Sequence, residues 1–254
     1  MNQEKTQKTA QKQPASPMRR RYTAKLVFRC IVFVICVLVY LFRPEEFRIL
    51  YGMNFFSRFS WMHILWLIWV FDMIEQLVPV KRKIPLGSQK LFKLRFKPVV
   101  ERFEVEKLKA YLASTTKAAY KVMVLWVALL AVLGVLYFTH VISAEILFLV
   151  SVAFYVCDLI CVLVWCPFRL MMRTRCCTTC RIFNWDHLMM FTPMMFVLGV
   201  FPLSLVALSV AAWLIWELCV MLYPERFWEF SNEALKCSSC TDKLCTQYCR
   251  KLRK

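Results

Sequence analysis

Residues 122–165 read VMVLWVALLAVLGVLYFTHVISAEILFLVSVAFYVCDLICVLVW, and Glu145 and Asp158 are the only Asp, Glu, Lys or Arg residues among them. An α-helix needs about 20 apolar residues to cross a bilayer core that is about 30 Å thick. This stretch is long enough for two such crossings, and the more polar residues 140–145 divide it. The sequence therefore predicts transmembrane helices at 122–140 and 145–165.

Comparable apolar runs occupy 26–42, 61–80, 188–201 and 204–223. Hydrophobic residues make up 60% of the 254 residues and the mean hydropathy is +0.53, whereas soluble domains are roughly 45–50% apolar. The chain has only four glycines and no recurring ten-residue alternation, so the pattern is not that of a transmembrane β-barrel. We predict an all-α fold, a polytopic membrane bundle of about six transmembrane helices.

The polar stretches between these runs define the expected domain organisation. In chain order, we expect a disordered basic cytoplasmic tail at 1–25, transmembrane helices 1 and 2 within 26–80, a basic amphipathic cytoplasmic loop at 81–121, transmembrane helices 3 and 4 within 122–165, a cysteine-rich cytoplasmic loop at 166–187, a transmembrane helical hairpin at 188–223 and a cysteine-rich cytoplasmic tail at 224–254.

The last apolar stretch is too long for one crossing, while each of its halves is short. We expect a tight hairpin that turns at Pro202, with Thr192 and Pro193 kinking its first arm because proline interrupts helical hydrogen bonding. The alternative is a re-entrant hairpin that lies buried among other helices.

The formal charge of +18 is concentrated in particular segments, namely 19–25, 81–121, 169–181 and 250–254. Cytoplasmic loops of membrane proteins carry an excess of Lys and Arg. We therefore predict an integral protein of the plasma (inner) membrane with both termini in the cytoplasm, and no nucleic-acid partner. The loop at 81–121 is expected to lie against anionic lipid headgroups or, alternatively, against the cysteine-rich face of the protein.

Cysteine is unusually frequent, with 13 residues, and most of them fall in two blocks. The candidate cofactor ligands are Cys166, Cys176, Cys177, Cys180, Cys237, Cys240, Cys245 and Cys249. Structural disulfides are rare in the reducing cytoplasm, so metal or redox chemistry is the better interpretation. The Cys-x-x-Cys spacing of the pair at 177 and 180 and of the pair at 237 and 240 allows two thiolates to bind one ion or cluster.

Three interpretations of the cysteine blocks remain open. Cys166-Pro167 resembles the Cys-Pro that closes ferredoxin-type binding runs, which implies an iron–sulfur cluster. Zinc could instead be held by Cys177, Cys180, Cys237 and Cys240, with His187 able to replace one thiolate. In the third interpretation no metal is bound, and the thiols sense redox state or are acylated. We interpret Cys30, Cys36, Cys157 and Cys161 as small hydrophobic residues inside spans.

Ionisable residues also occur inside the predicted spans, where an unpaired charge is costly. They are Arg29, Asp72, Glu75, Asp158 and Glu217. At about 1.5 Å per residue the four acids lie at similar depths from the cytoplasmic boundary. One hypothesis is a polar chamber in which Asp72, Asp158 and Glu217 converge on a cation, a proton path or a substrate amine. In the other, Arg29 neutralises one acid, and the others are protonated or hydrogen-bonded.

The sequence contains no phosphate-binding glycine loop and no hydrolase or zinc-protease motif. The leading functional hypothesis is a membrane metal-binding protein whose iron–sulfur centres serve electron transfer or a membrane redox step, together with a soluble redox partner. One alternative is a small cation or metal transporter with an intramembrane acidic site. The other is a membrane scaffold with a zinc-stabilised cytoplasmic module that docks a soluble protein.

Overall fold

A computed structural model describes residues 17–57, 59–79, 86–99, 104–174, 176–240 and 244. Within these ranges the chain forms helices and no β-strand, which confirms the all-α fold. The α-helices are α1 (Pro17–Phe42), α2 (Trp61–Leu77), α3 (Leu86–Gln89), α4 (Val105–Phe138), α5 (Ala144–Leu163), α6 (Phe168–Met172), α7 (Asp186–Phe191) and α8 (Val200–Leu222).

Four of these helices, α1, α4, α5 and α8, are long and apolar enough to cross a membrane. Their outward faces are apolar and exposed, as expected for side chains that contact lipid. The length of 17 residues makes α2 about 26 Å long, slightly less than the bilayer core. The described ranges thus contain four helices able to cross a membrane, and the number of six spans stays a prediction.

The core of the bundle is built around aromatic side chains from different elements. Trp69 of α2 is fully buried, and its ring centroid lies 5.8 Å from that of Phe148 and 5.2 Å from that of Phe191. Phe201 of α8 completes the cluster at 6.4 Å from Trp69. Because each such ring removes about 150–250 Å² from solvent, this cluster holds α2, α5, α7 and α8 together.

The two ends of the bundle differ in composition. One end of the bundle is where α1 begins and where α5 and α8 stop. We call it the thiol end, because residues 166–185 fold there. The opposite end contains the connections α1–α2 and α4–α5, and we call it the hairpin end. At the thiol end, the indole N–H of Trp216 donates to the carbonyl oxygen of Arg181 over 2.9 Å. At the hairpin end, the hydroxyl of Tyr51 donates to Glu145 over 3.0 Å.

The stretch predicted as the fifth span is not a continuous helix. After α7 the chain continues as a 3₁₀ helix, Thr192–Phe196, and becomes extended at residues 197–199 before α8 begins. The interruption at Pro193 agrees with the prediction. The predicted turn at Pro202 is wrong, because Pro202 is the third residue of α8, where its missing N–H removes no helical hydrogen bond. We call residues 186–199 the buried segment, because every residue from 187 to 194 is buried.

Two further boundaries differ from the sequence-based expectation. The first helix begins at Pro17, so the expected disordered tail 1–25 is helical from that residue onward, while residues 1–16 lie outside the described ranges. Proline is well suited to a first helical position. In addition, α4 runs without interruption across residue 121, the expected boundary between loop and span. At 34 residues it is about 51 Å long and extends well beyond a bilayer core.

The buried segment turns into α8 through a close contact between two glycines. The N–H of Gly52 donates to Leu198 O over 2.8 Å, and the N–H of Val200 donates to Gly52 O over 3.0 Å. A Cβ atom at Gly199 would lie 2.0 Å from the carbonyl oxygen of Leu50, so no larger residue fits without moving the backbone. Gly52 has φ +54° but open space around it.

Replacing these glycines separates close packing from backbone conformation. We expect Gly199→Ala to destabilise the protein by about 2–4 kcal/mol, because the added methyl group forces the backbone at Gly199 away from the backbone at Leu50. Gly52→Ala should cost only about 1–2 kcal/mol, the penalty of a left-handed conformation. Thermal unfolding in detergent micelles measures both, and equal losses would contradict this account of Gly199.

Candidate thiol and carboxylate site

A cavity of about 330 Å³ lies inside the thiol end of the bundle. Its walls come from α1, α2, α4, α5, α6, α7 and the loop 173–185. The ionisable and thiol groups that line it are Lys25, Arg29, Asp72, Glu75, Cys157, Asp158, Cys161, Cys166, Arg169, Cys177, Cys180, Asp186 and His187. The structure therefore brings most of the predicted acids and part of the first cysteine block to one place.

Three thiols form a cluster on the wall of this cavity. Cys161 lies in the last turn of α5, Cys166 precedes α6, and Cys177 begins a 3₁₀ turn, Cys177–Thr179. The chain returns to α5 because Arg173 adopts a left-handed conformation, with φ 49°, and ends α6. The Sγ of Cys177 consequently lies 3.8 Å from Cys161 O.

Cys166 is the central member of the thiol cluster. The thiols of Cys161 and Cys177 hydrogen-bond to its sulfur, and the backbone N–H groups of Arg169 and Phe168 do the same. These donors stabilise the negative charge and lower the pKa of Cys166 well below that of an ordinary thiol. The pKa of Cys177 is raised, since its proton is held by the sulfur of Cys166 and burial disfavours its thiolate. Within the cluster, negative charge is therefore best stabilised at the sulfur of Cys166.

The carboxylates of α2 and α5 belong to a network centred on Arg29. The guanidinium of this buried residue donates to Asp158 over 2.6 Å and to the carbonyl oxygen of Tyr155 over 2.6 Å, and its Cζ lies 3.8 Å from the centroid of the Tyr155 ring. The phenol of Tyr155 donates to Asp72 over 3.2 Å, and Lys25 lies 4.0 Å from that carboxylate. Asp72 and Asp158 therefore both have partners within the protein.

Asp186 and His187 open α7 on another wall of the cavity. The side-chain amide of Gln76 donates to Oδ2 of Asp186 over 2.9 Å, and Nδ1 of His187 lies 3.3 Å from Oδ1 of the same carboxylate. His187 is 3% exposed, and its Nε2 has no hydrogen-bond partner among the described residues, whereas Nδ1 faces the Asp186 carboxylate. A buried polar group without such a partner calls for an explanation in terms of function or a ligand.

Glu217 does not line the cavity. Its carboxylate instead accepts two hydrogen bonds from the guanidinium of Arg181 and one from the indole N–H of Trp185 over 2.8 Å. This pairing fixes the loop before α7 to α8. Of the three acids predicted to converge in a polar chamber, the structure brings Asp72 and Asp158 to the cavity and places Glu217 elsewhere. Glu75, another predicted intramembrane acid, also lines the cavity.

The second cysteine block lies in the tail. Cys237 begins a separate 3₁₀ turn, Cys237–Ser239, and is exposed, whereas Cys240 after it is half-buried. Cys245 and Cys249 lie outside the described residues. Leu244, which precedes Cys245 in the sequence, is buried and lines a narrow groove together with Cys176 and other residues of the first block.

No preformed metal site was found in the described ranges, since no group of three or more His, Cys, Asp or Glu side chains there is placed to hold an ion. Iron–sulfur and zinc binding by the two cysteine blocks, with His187 as a possible zinc ligand, stay predictions.

Some residues of the site were not singled out from the sequence. Cys161 was interpreted as a small hydrophobic residue, although its position five residues before Cys166 and in the last turn of α5 was a usable signal. Lys90 was also missed. It is 2% exposed, its Nζ lies 3.4 Å from Cys180 O, and the Trp216 ring centroid is 5.4 Å away.

The fold thus defines an all-helical protein with four helices able to cross a membrane and a cavity that is lined by thiols and carboxylates. Comparison with family models, with curated proteins and with solved structures gives no significant match. The functional argument consequently rests on the geometry of this chain.

Lys90 makes the stability of the thiol end depend on pH. Burial lowers the pKa of its ammonium from 10.5 to about 8. Between these values the unfolded chain binds more protons than the folded chain, so stability should rise as pH rises. We expect the unfolding temperature to increase between about pH 8 and 10 in the native protein and to lose that increment in Lys90→Met. The exposed Lys107→Met is the matched control, and an identical pH profile for all three proteins would contradict the assignment.

Proposed function

We propose that the chain crosses a plasma (inner) membrane six times, with its thiol end and both termini on the cytoplasmic side. Basic segments support this orientation, since residues 19–25 and 169–181 both adjoin the thiol end. They also give this end affinity for anionic lipid headgroups. The two shorter elements, α2 and the buried segment, then supply the second and fifth crossings.

The buried segment is long enough for a crossing despite its few residues. The six residues of α7 rise about 9 Å, the five 3₁₀ residues about 10 Å and the three extended residues about 10 Å. Together these approach the thickness of a bilayer core, which is about 30 Å. Irregular backbone is tolerated at membrane depth when it is enclosed by protein, and residues 187–194 of this segment are buried, although Met195 and Leu198 are exposed.

A membrane-impermeant thiol reagent tests the orientation. In sealed vesicles with the cytoplasmic face inside, we expect exposed Cys237 to be protected and an introduced thiol at the exposed hairpin-end position, Met53→Cys, to be labelled. Inverted vesicles should give the opposite result. Labelling of both positions from the same side would refute an odd number of crossings between them.

We further propose that the protein performs a membrane redox step, with Cys166 and either Cys161 or Cys177 as a dithiol–disulfide pair. The observation that carries this proposal is the placement of the Cys166 sulfur between two other thiols. A thiolate is the reactive form of cysteine, and a neighbouring thiol is what resolves it into a disulfide. Formation of the disulfide from one thiolate and one thiol releases two electrons and one proton.

Reduction of this disulfide back to two thiols requires a thiol donor. A soluble dithiol protein in the cytoplasm fits the predicted soluble redox partner, because its thiolate attacks the disulfide and is itself converted to a disulfide in the exchange. The basic residues of the loop, including Arg169 on the cavity wall, favour approach of a thiolate to this end.

The transporter hypothesis has less support from the geometry. Asp72 and Asp158 are engaged with Tyr155 and Arg29, and Asp186 with Gln76 and His187. A site that captures cations needs carboxylates whose charge is not already compensated. The cavity is therefore better suited to chemistry at the thiols than to capture of a cation.

Equilibration with anaerobic glutathione redox buffers, followed by alkylation and mass spectrometry, tests the redox proposal. We expect one disulfide that contains Cys166, with a midpoint potential above about −300 mV as in catalytic pairs. Cys166→Ser should abolish it, and Cys219→Ser on α8 should not.

Metal analysis of the same preparation separates this proposal from the metal-binding predictions. Stoichiometric iron or zinc, together with protection of Cys166 from alkylation, would overturn thiol redox chemistry and support a metal centre. Thiols that stay reduced across the whole range of buffers would overturn it as well.

A further inference from the structure

Nε2 of His187 is a buried polar atom on the cavity wall that has no hydrogen-bond partner among the described residues. His187 is held on α7 between the carboxylate of Asp186 and the ring of Phe191, whose centroid lies 6.1 Å from that of the imidazole. Nδ1 faces the Asp186 carboxylate at 3.3 Å, so Nε2 is the ring atom that is left for a ligand. A ligand that brings a hydrogen-bonding atom to the imidazole would remove this deficit.

The remaining walls of the cavity are aromatic and aliphatic. They are formed mainly by Trp126, Phe154, Phe168, Phe183, Met189 and Met190. Trp126 is held in place because its indole N–H donates to the hydroxyl of Thr192 over 3.0 Å. The volume of about 330 Å³ is at the lower end of the range for small-molecule sites. Such walls favour a flat, apolar ring over a hydrated ion.

The charges of the cavity favour a neutral ligand. Asp158 is paired with Arg29, Asp72 is close to Lys25, and Asp186 is close to His187. Glu75 and Arg169 also line the cavity, so the acidic and basic side chains on its walls largely balance. A ligand that carried a full charge would gain little from them and would lose its hydration.

The exposed residues of the lining show where a ligand enters. They are Lys25 on α1, Cys157 on α5 and Pro167 beyond α5. Cys157 lies about 9 Å, or six residues, inside the end of α5, whereas Pro167 lies beyond it. The opening thus extends from the thiol end into the depth of the span, where a lipid-soluble molecule can reach it from the bilayer.

The thiols and the imidazole share this cavity and are linked by one carboxylate. Asp158 interacts electrostatically with Cys161 on its own helix and with His187 on α7. Arg29, Asp72 and Asp186 are the other charged groups that act on this region. The thiols, which would supply electrons, and His187, which would supply a proton, therefore line the same cavity.

Building on the proposed dithiol function, we infer that the cavity binds a membrane quinone, and that His187 transfers a proton to one of its carbonyl oxygens as the thiols reduce it. The Cys166 thiolate and a neighbouring thiol form the disulfide and give two electrons to the quinone. One proton comes from that thiol and the other from His187, which regains it from solvent. Thiolate, thiol, quinone and one proton thus become disulfide and quinol.

Decylubiquinone is a suitable probe with the reduced protein in detergent micelles under anaerobic conditions. We expect one quinone to be reduced for each disulfide formed, as followed by ultraviolet absorbance and by mass spectrometry of alkylated thiols. His187→Gln should slow this reaction at least about a hundredfold, the lower end of the usual range for loss of a proton-transfer group. The midpoint potential of the disulfide in glutathione buffers should be unchanged in this variant.

His140→Asn is the matched control, because this exposed histidine lies at the hairpin end with φ 59°, a conformation that asparagine tolerates. It should keep the native rate. A disulfide that forms with glutathione but not with decylubiquinone would overturn the quinone inference and leave the dithiol function standing. Failure with both oxidants would overturn the dithiol function. An unchanged rate in His187→Gln, with native thermal stability, would remove the imidazole from the reaction.

Discussion

Enclosure of the buried segment is the constraint on which the rest of this structure depends. Only part of residues 186–199 is α-helical, so many of its backbone groups lack the hydrogen bonds of a regular helix. In an apolar surrounding such groups must be satisfied by protein. Packing against α4, α5 and α8, and pairing of its last residues with Gly52, meet this requirement. The same enclosure carries Asp186 and His187 into the interior.

Two buried ion pairs hold the surrounding helices in register at the thiol end. Arg29 with Asp158 connects α1 to α5, and Arg181 with Glu217 connects the loop before α7 to α8. The Arg29 guanidinium also donates to the carbonyl oxygen of Tyr155, and the Glu217 carboxylate also accepts from the Trp185 indole. These hydrogen bonds offset part of the cost of removing the charges from water. Pairs of this kind contribute more to a unique arrangement than to net stability. Here the arrangement includes the walls of the cavity.

The sequence predicted the elements whose formation depends on local composition. Within 122–165, the end of α4 and both ends of α5 were predicted to within a few residues. The prediction succeeds there because a long apolar run is itself the physical requirement for a span. The buried segment was predicted less well. Its 14 residues are as apolar as a helix, and only packing decides that they become partly 3₁₀ and extended.

The sequence predicted how deep the acidic residues of the candidate site lie in the membrane, but not on which face of its helix each one lies. Similar depths of Asp72 and Asp158 follow from counting residues, whereas the face on which Glu217 lies is set by its contact with Arg181. Cys161 illustrates the same limit. It lies in the last turn of an apolar helix, and Cys177 reaches it only because the left-handed residue Arg173 ends α6 and returns the chain to α5. Long-range folding of this kind leaves no periodic signal.

The length of α4 links the tail to the interior mechanically. The first third of α4 projects beyond the span, and there Tyr111 stacks on Trp228 of the tail with ring centroids 5.7 Å apart. About four turns further along the same helix, Trp126 lines the cavity. An unbroken helix tilts as one body. A protein that docks on the tail and tilts α4 therefore also moves the cavity wall, although it does not contact the cavity itself.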